Sequence, residues 1–148
     1  MSMDPETAEP YVLLDGEGET ALWYSARVTM KASTPHLGVS VCDIEAGDEP
    51  PLHAHTREHE WFYVIAGEVS FQFPTGDVRA PAGSFVSVPP EVPHTLSIES
   101  DTSRLLVLNA PGGEERMFQL SPADAEDMAR MFAEYGLRLL GPHPRDAA

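Results

Sequence analysis

The chain of 148 residues has the length of one domain, and its 24 acidic against 9 basic residues leave a net charge of −15 at pH 7. Such a charge repels phosphate backbones and anionic lipid surfaces, so nucleic acid and membranes are not expected as partners. Apolar runs fall far short of the ~20 residues that cross a bilayer, and Cys42 is the only cysteine. The acidic first residues lack the basic and apolar regions of a signal peptide, so we expect none there. We therefore expect a cytoplasmic protein without disulfides.

Proline and glycine are frequent, at 14 and 11 residues, which favours turns over long helices and indicates an all-β domain. Residues 1–10 combine acids and prolines without apolar periodicity, and we predict a disordered N-terminal arm there. A single domain is predicted over residues 11–142, followed by a flexible tail at 143–148. Its first strands are expected at 11–14, 21–31 and 37–44, where β-branched and apolar residues lie between turn signals.

The segment 60–73 predicts two strands that are separated at residues 66–67. In the first of these strands, Phe62 and Val64 share one face, while the opposite face carries three large apolar side chains, Trp61, Tyr63 and Ile65. A strand that is apolar on both faces is covered on both sides. We expect one face to line a barrel interior and the other to meet a second layer or a partner subunit, and we predict a homodimer.

Further strands are predicted at 84–88, 94–98 and 104–109, so strands recur about every ten residues, as in a sandwich or barrel. The pattern then changes to a helical period. Ser121 is expected to cap a short helix over about 122–135, with Pro122 at its first position and Gly136 after its end. Its Met and aromatic stripe is expected to pack against the barrel.

Four side chains suggest metal chemistry. His53 and His55 are two residues apart and point to one face of an extended segment, Glu60 begins the next strand, and His94 follows across at least one hairpin. Three imidazoles and one carboxylate suit a divalent first-row transition metal and leave coordination positions open. The alternative is that these histidines line a solvated loop and titrate independently. His59 should point away from Glu60, and His36 and His143 are expected to be solvated.

Two motifs in this region resemble those of the cupins. Gly47, five residues, His53-Ala54-His55, four residues, Glu60, six residues and Gly67 match the first cupin motif, and Gly83, Pro89 and His94 match the second. The resemblance implies an antiparallel jelly-roll barrel (a double-stranded β-helix) that holds one divalent metal ion through His53, His55, Glu60 and His94. The chain departs from the second motif at two positions. Glu91 stands where the family usually has glycine, which adopts positive φ more easily than glutamate, and Ile98 stands where asparagine is frequent.

Longer matches at residues 50–64, 110–118 and 136–142 resemble single-domain cupins related to bacterial quercetinases. That resemblance implies a dioxygenase in which Glu60 is both a metal ligand and the base that deprotonates a small, oxygen-rich aromatic or enolisable substrate. Strand parity offers candidate apolar pocket walls, although each of these residues also fits an ordinary core: Phe62, Val64, Phe71, Phe73, Phe85 and Val88.

Two other functions remain open. One is a metal-dependent isomerase or lyase, and the other is a non-catalytic small-molecule-binding cupin. The metal can be Fe, Mn, Ni, Co, Cu or Zn, because all of these ions accept this ligand set. The acidic surface favours a neutral substrate, and the resemblance to quercetinases implies an aromatic one.

Overall fold

The structure, a computed structural model, describes residues 9–23, 26–120 and 122–146. Most of the predicted N-terminal arm lies outside these ranges, as do Tyr24 and Ser121. Within them, the chain has no helix that is both long and apolar enough to cross a membrane.

Strands dominate the described part of the chain. They are β1 (Glu19–Trp23), β2 (Ala26–Ser33), β3 (Gly38–Glu45), β4 (Leu52–His55), β5 (His59–Ala66), β6 (Glu68–Phe73), β7 (Gly76–Pro81), β8 (Phe85–Val88), β9 (Thr95–Ile98), β10 (Thr102–Ala110) and β11 (Leu137–Gly141). The helical elements are α1 (Ala125–Glu134) and two 3-10 helices, Glu114–Gln119 and Pro144–Asp146.

The strands form two layers with antiparallel pairing. One layer is a six-stranded sheet in the order β1-β2-β3-β10-β5-β8. The other contains a three-stranded sheet, β7-β6-β9, and the pair β11-β4, and an isolated bridge between His53 and His94 joins its two parts. The all-β, double-stranded β-helix fold with one short C-terminal α-helix is thus confirmed.

Alternation along the strands determines which side chains face the interior. In β10, Ser103, Leu105, Val107 and Asn109 are buried, and the residues between them are half-buried. In β5 the buried residues are Glu60, Phe62 and Val64, whereas Tyr63 and Ile65 are exposed. Period-two alternation therefore assigns the inward face of these strands correctly.

Helix α1 begins later than predicted, with Asp124 as its cap, and the predicted cap, Ser121, lies outside the described residues. The Asp124 side chain accepts a hydrogen bond of 2.8 Å from the main-chain N–H of Asp127. The apolar face of the helix joins a small cluster beside the barrel that contains Trp23, Met117, Met128, Met131, Phe132 and Leu137. The predicted packing of this stripe on the barrel is confirmed.

Three local predictions differ from the structure. Residues 11–14 form no strand, and the predicted strand 21–31 is divided between β1 and β2, which pair as a hairpin. Strand β11 was not predicted, because its short sequence follows a helix and acquires strand geometry by pairing with β4. His143 is buried rather than solvated: its ring lies 3.0 Å from the carbonyl oxygen of Leu96 and 3.1 Å from Oγ of Ser97.

Candidate metal centre

Three segments deliver the four predicted ligands to one place inside the barrel. His53 and His55 lie on β4, Glu60 on β5, and His94 directly before β9. Two main-chain hydrogen bonds, of 3.1 and 2.8 Å, join His53 to His94. All four side chains are buried, and one nitrogen or oxygen atom from each lies within 4.8 Å of the others.

Contacts on the outer side of the imidazoles orient the rings. Nδ1 of His53 lies 2.7 Å from the carbonyl oxygen of Pro51, and Nδ1 of His94 lies 2.9 Å from that of Val92. A carbonyl oxygen only accepts, so each Nδ1 donates a proton to it, and Nε2 is the ring nitrogen that remains for a metal ion. In both cases the acceptor lies two residues before the histidine, so the local loop sets the tautomer.

The carboxylate of Glu60 lies between two of the rings. Its Oε1 is 3.1 Å from Nε2 of His55 and 3.1 Å from Nε2 of His94. Burial alone would raise the pKa of Glu60, but His55 and His94 hold it well below the usual carboxyl value. Burial, together with His94 and His55, lowers the pKa of His53 to about 3, so this ring is neutral.

The donor set fits a metal ion. Nε2 of His55 is fully buried, yet it has no hydrogen bond of good geometry among the described residues. A buried polar atom without such a partner is costly, and a metal ion at the point shared with Glu60 and His94 would satisfy it. Three imidazole nitrogens and one carboxylate can hold a divalent transition metal, although this set does not determine which one.

A cavity of about 120 Å³ adjoins the cluster. Apolar side chains from the sheets and from α1 line much of it, including Phe62, Leu96, Met128 and Phe132. No Lys or Arg is among the described residues that line it, whereas the carboxylates of Glu60 and Glu114 are.

Of the six side chains predicted as pocket walls, Phe62 lines this cavity and the other five do not. Val64, Phe71 and Val88 face inward but are packed in the core, with at most 1% of each exposed, and Phe73 packs at its margin. Phe85 is 62% exposed, because β8 buries Val88 and therefore turns Phe85, three residues earlier, to the outer face.

Both departures from the second motif are accommodated. Glu91 adopts a φ of 69°, the conformation that glycine would take more easily, and its N–H donates a 2.7 Å hydrogen bond to the carbonyl oxygen of His55. Ile98 is buried in β9, and its N–H donates to the carboxylate of Glu49 at 3.0 Å. His59 and His36 are exposed, as expected.

Two buried glutamates near the cluster were missed by the sequence analysis. Oε2 of Glu114 lies 2.8 Å from Nδ1 of His55, and the carboxylate of Glu58 lies near the same ring. Burial raises the pKa of Glu114 to about 7, although His55 opposes the shift. Burial would lower the pKa of His55, but Glu60 and Glu114 raise it to about 11. No sequence pattern distinguishes these glutamates from the many acids of the surface.

Comparison with known proteins agrees with this geometry. A family model described as a cupin domain matches residues 40–110. Quercetin 2,3-dioxygenase of Bacillus subtilis is 25% identical over 120 residues, or 78% of this chain, and the chain spans 36% of the length of that relative.

Several solved structures share the fold. KdgF from Halomonas is 18% identical, with a TM-score of 0.64 over 70% of this chain and 96% of its own. An RmlC-like cupin from Shewanella frigidimarina is 21% identical, with a TM-score of 0.65 over 73% of this chain and 96% of its own. The nucleoside dehydratase Pac13, from Streptomyces, is 17% identical, with a TM-score of 0.65 over 91% of this chain and 94% of its own. The matched motifs, the double-stranded β-helix and the buried His–Glu cluster lead to one assignment: residues 40–110 form a cupin domain.

Proposed function

We propose that this cupin is a metal-dependent dioxygenase that acts on a small, oxygen-rich aromatic or enolisable molecule, with His53, His55, Glu60 and His94 as the metal ligands. The observation that carries the proposal is the buried Glu60 carboxylate, shared between His55 and His94 beside an apolar cavity. The similarity to a quercetin 2,3-dioxygenase supports the reaction class.

A divalent cation bound at these ligands would supply Lewis-acid stabilisation for a deprotonated hydroxyl or enol and a position for dioxygen. The protein's own part is to bind, orient and deprotonate. Glu60 is ionised and has a second carboxylate oxygen besides the one that contacts the histidines, so it can accept the substrate proton. Phe62, Leu96 and Phe132 surround the ring of the substrate and exclude water, which strengthens the electrostatic interactions at the cluster.

The size and charge of the cavity indicate the substrate. A volume of about 120 Å³ is close to that of an engineered apolar cavity of about 150 Å³ that holds one benzene ring. We therefore propose a substrate of one ring rather than a three-ring flavonol. Carboxylates without a lysine or arginine among the described lining residues would repel an anion, so the substrate should arrive neutral.

Oxygen consumption by metal-loaded protein tests this function. We expect turnover of a one-ring catechol or a cyclic enolisable diketone, and loss of at least a hundredfold in Glu60→Gln, which keeps the size of the side chain and removes the base. Glu99→Gln is a matched control, because Glu99 is an exposed carboxylate that lines no part of the cavity. Failure of the metal-loaded protein to consume oxygen with any of these compounds would contradict the dioxygenase assignment.

Isomerase or lyase chemistry without oxygen is a second candidate. Glu60 is equally suited to move a proton in such a reaction, and the fold is shared with a nucleoside dehydratase. Turnover under anaerobic conditions by the metal-loaded protein, lost in Glu60→Gln, would favour this candidate. Ligand binding without turnover under either condition would instead indicate a non-catalytic binding protein.

We further propose that the protein works in the cytoplasm as a homodimer formed through the outer face of the six-stranded sheet. Register aligns Phe85, Tyr63, Leu106 and Val41 in one row across β8, β5, β10 and β3. Tyr63 is 44% exposed, an unusual amount for a large side chain in the middle of a sheet. Light scattering should give twice the mass of 16.2 kDa, and Tyr63→Lys should return the monomer. A monomeric wild type at micromolar concentration would contradict this proposal.

A further inference from the structure

Two consecutive buried glutamates lie outside the four-residue cluster. Glu114 and Glu115 begin the 3-10 helix that follows β10, and they expose only 3% and 1% of their surface. A buried carboxylate loses its hydration and persists only where other groups compensate for that loss. The two side chains are compensated in different ways, and the difference suggests a role for each.

Glu115 anchors the 3-10 helix to the barrel. Its carboxylate accepts hydrogen bonds from Oγ of Ser33, from Nδ2 of Asn109 at 3.0 Å and from the N–H of Gly113 at 2.7 Å. Gly38 leaves the space for this carboxylate, since a Cβ atom there would lie 2.0 Å from Oε1 of Glu115. The start of the helix is therefore held against β2, β3 and β10.

Glu114 is directed towards His55. Its Oε2 lies 2.8 Å from Nδ1 of His55, which is an ion-pair distance, but the ring N–H is not aligned with it as in a hydrogen bond. Among the described residues, neither atom has another hydrogen-bond partner. The other ring nitrogen of His55, Nε2, lies 3.1 Å from Glu60. The imidazole thus connects Glu114 on one side with the candidate metal cluster on the other.

At His53 and His94, a main-chain carbonyl oxygen occupies the position that Glu114 occupies at His55. Each places Nδ1 against a main-chain carbonyl oxygen two residues earlier in the chain, at 2.7 and 2.9 Å. In the described part of the chain, no carbonyl oxygen accepts a hydrogen bond from Nδ1 of His55. We propose that Glu114 is the positioning residue for His55: it accepts the Nδ1 proton, fixes the ring and leaves Nε2 to bind the metal. This inference rests on the metal site of the proposed function, but not on the reaction performed there.

A carboxylate differs from a carbonyl in its charge. An anionic acceptor increases the basicity of the opposite ring nitrogen and strengthens its bond to a metal. His55 should therefore be the strongest nitrogen donor of the three, and Glu114 should influence the metal without touching it.

The test is a Co²⁺ titration of the full-length protein, with affinity from chelator competition and ligand geometry from the visible absorption of the bound ion. Outer carboxylate partners of metal-binding histidines typically contribute about 10–100-fold to affinity. We expect a loss of that size in Glu114→Leu. In Glu114→Gln, which keeps an acceptor but not the charge, we expect a smaller loss and partial recovery of the wild-type spectrum. Because Glu114→Gln is nearly isosteric, it carries the test even if the leucine variant does not fold.

Glu49→Gln is the matched control, since Glu49 is another carboxylate with a buried side chain and its ion-pair partner is Arg145 rather than a histidine. Its affinity and spectrum should equal those of wild type. Unchanged affinity and spectrum in both Glu114 variants would overturn the proposal. So would two Co²⁺ ions per wild-type chain with one lost in Glu114→Leu, because Glu114 would then be a ligand of a second ion. A wild type that binds Co²⁺ as expected but lacks turnover would refute the proposed function and leave the role of Glu114 intact.

Discussion

The barrel interior contains two regions of opposite character. In the packed core, Val64, Val69, Phe71, Ala80 and Val88 are each at most 1% exposed and belong to one apolar cluster. In the cavity region, three histidines and a glutamate converge beside open space. The strands that form both regions overlap, since β5 supplies Glu60 and Val64 to the same inward face. The packed core thus provides the rigid support that a site of buried polar groups requires.

The largest expected effect comes from the packed core. Phe71 is fully buried and contacts Phe62 at a ring distance of 5.0 Å. Phe71→Ala should lower the free energy of unfolding by about 3–5 kcal/mol, through lost burial and the cavity that is left. Urea denaturation measures the loss, and elemental analysis should still find one metal ion per chain. Loss of metal from the folded variant would show that the two regions are not separable.

Metal removal is the corresponding test for the cavity region. A metal ion at a hundredfold excess over its dissociation constant adds about 2.7 kcal/mol to the stability of the folded state. Chelation should therefore lower the unfolding temperature of the wild type, and His94→Ala should abolish that difference. Phe71→Ala should lose the same increment as wild type on chelation. Equal metal content in wild type and His94→Ala would contradict the site.

The two regions also differ in how far sequence predicts them. Strand alternation identified the inward face of β5, and motif spacing identified the four residues that converge. Alternation has a period of two and contains no information on depth along the barrel, so Val64, Phe71 and Val88 were placed in the pocket walls although they lie in the packed core. Glu114 was missed because its contact with His55 joins residues far apart in the chain and depends on how Glu115 anchors the 3-10 helix. His143 was missed for the same reason.

A smaller effect on stability is expected from the ion pair between Glu49, in the loop before β4, and Arg145. Glu49 accepts from the N–H of Ile98 and pairs with Arg145 at 2.6 Å. Burial would raise the pKa of Glu49, but Arg145 and the main-chain N–H groups lower it below 4.5. A carboxyl whose pKa is lower in the folded than in the unfolded state stabilises the folded protein at pH values above the unfolded pKa. This stabilisation is lost as the pH falls through the folded pKa.

Wild type should therefore be about 1–2 kcal/mol more stable than Glu49→Gln near pH 7. The difference should shrink as the pH falls below 4.5. Chemical denaturation across this range measures it, and Arg145→Gln should reduce the stability in a similar way. A difference that is constant down to pH 2 would contradict the role assigned to the charge of Glu49.

The smallest expected effect is the labelling of Cys42 in the folded wild type. Cys42 belongs to the apolar core and also lines the cavity. Burial, together with the charges of Glu60 and Asp43, raises the pKa of this thiol to about 12. The reactive thiolate is therefore scarce at pH 8, and iodoacetamide should not label the folded protein. Labelling must then await opening of the structure. If the two regions open only together, Phe71→Ala should accelerate labelling by a hundredfold or more, in proportion to its loss of stability. If the labelling rate of Cys42 is the same in Phe71→Ala as in wild type, the cavity region opens while the packed core stays folded. A substrate would need such an independent opening in order to enter the cavity.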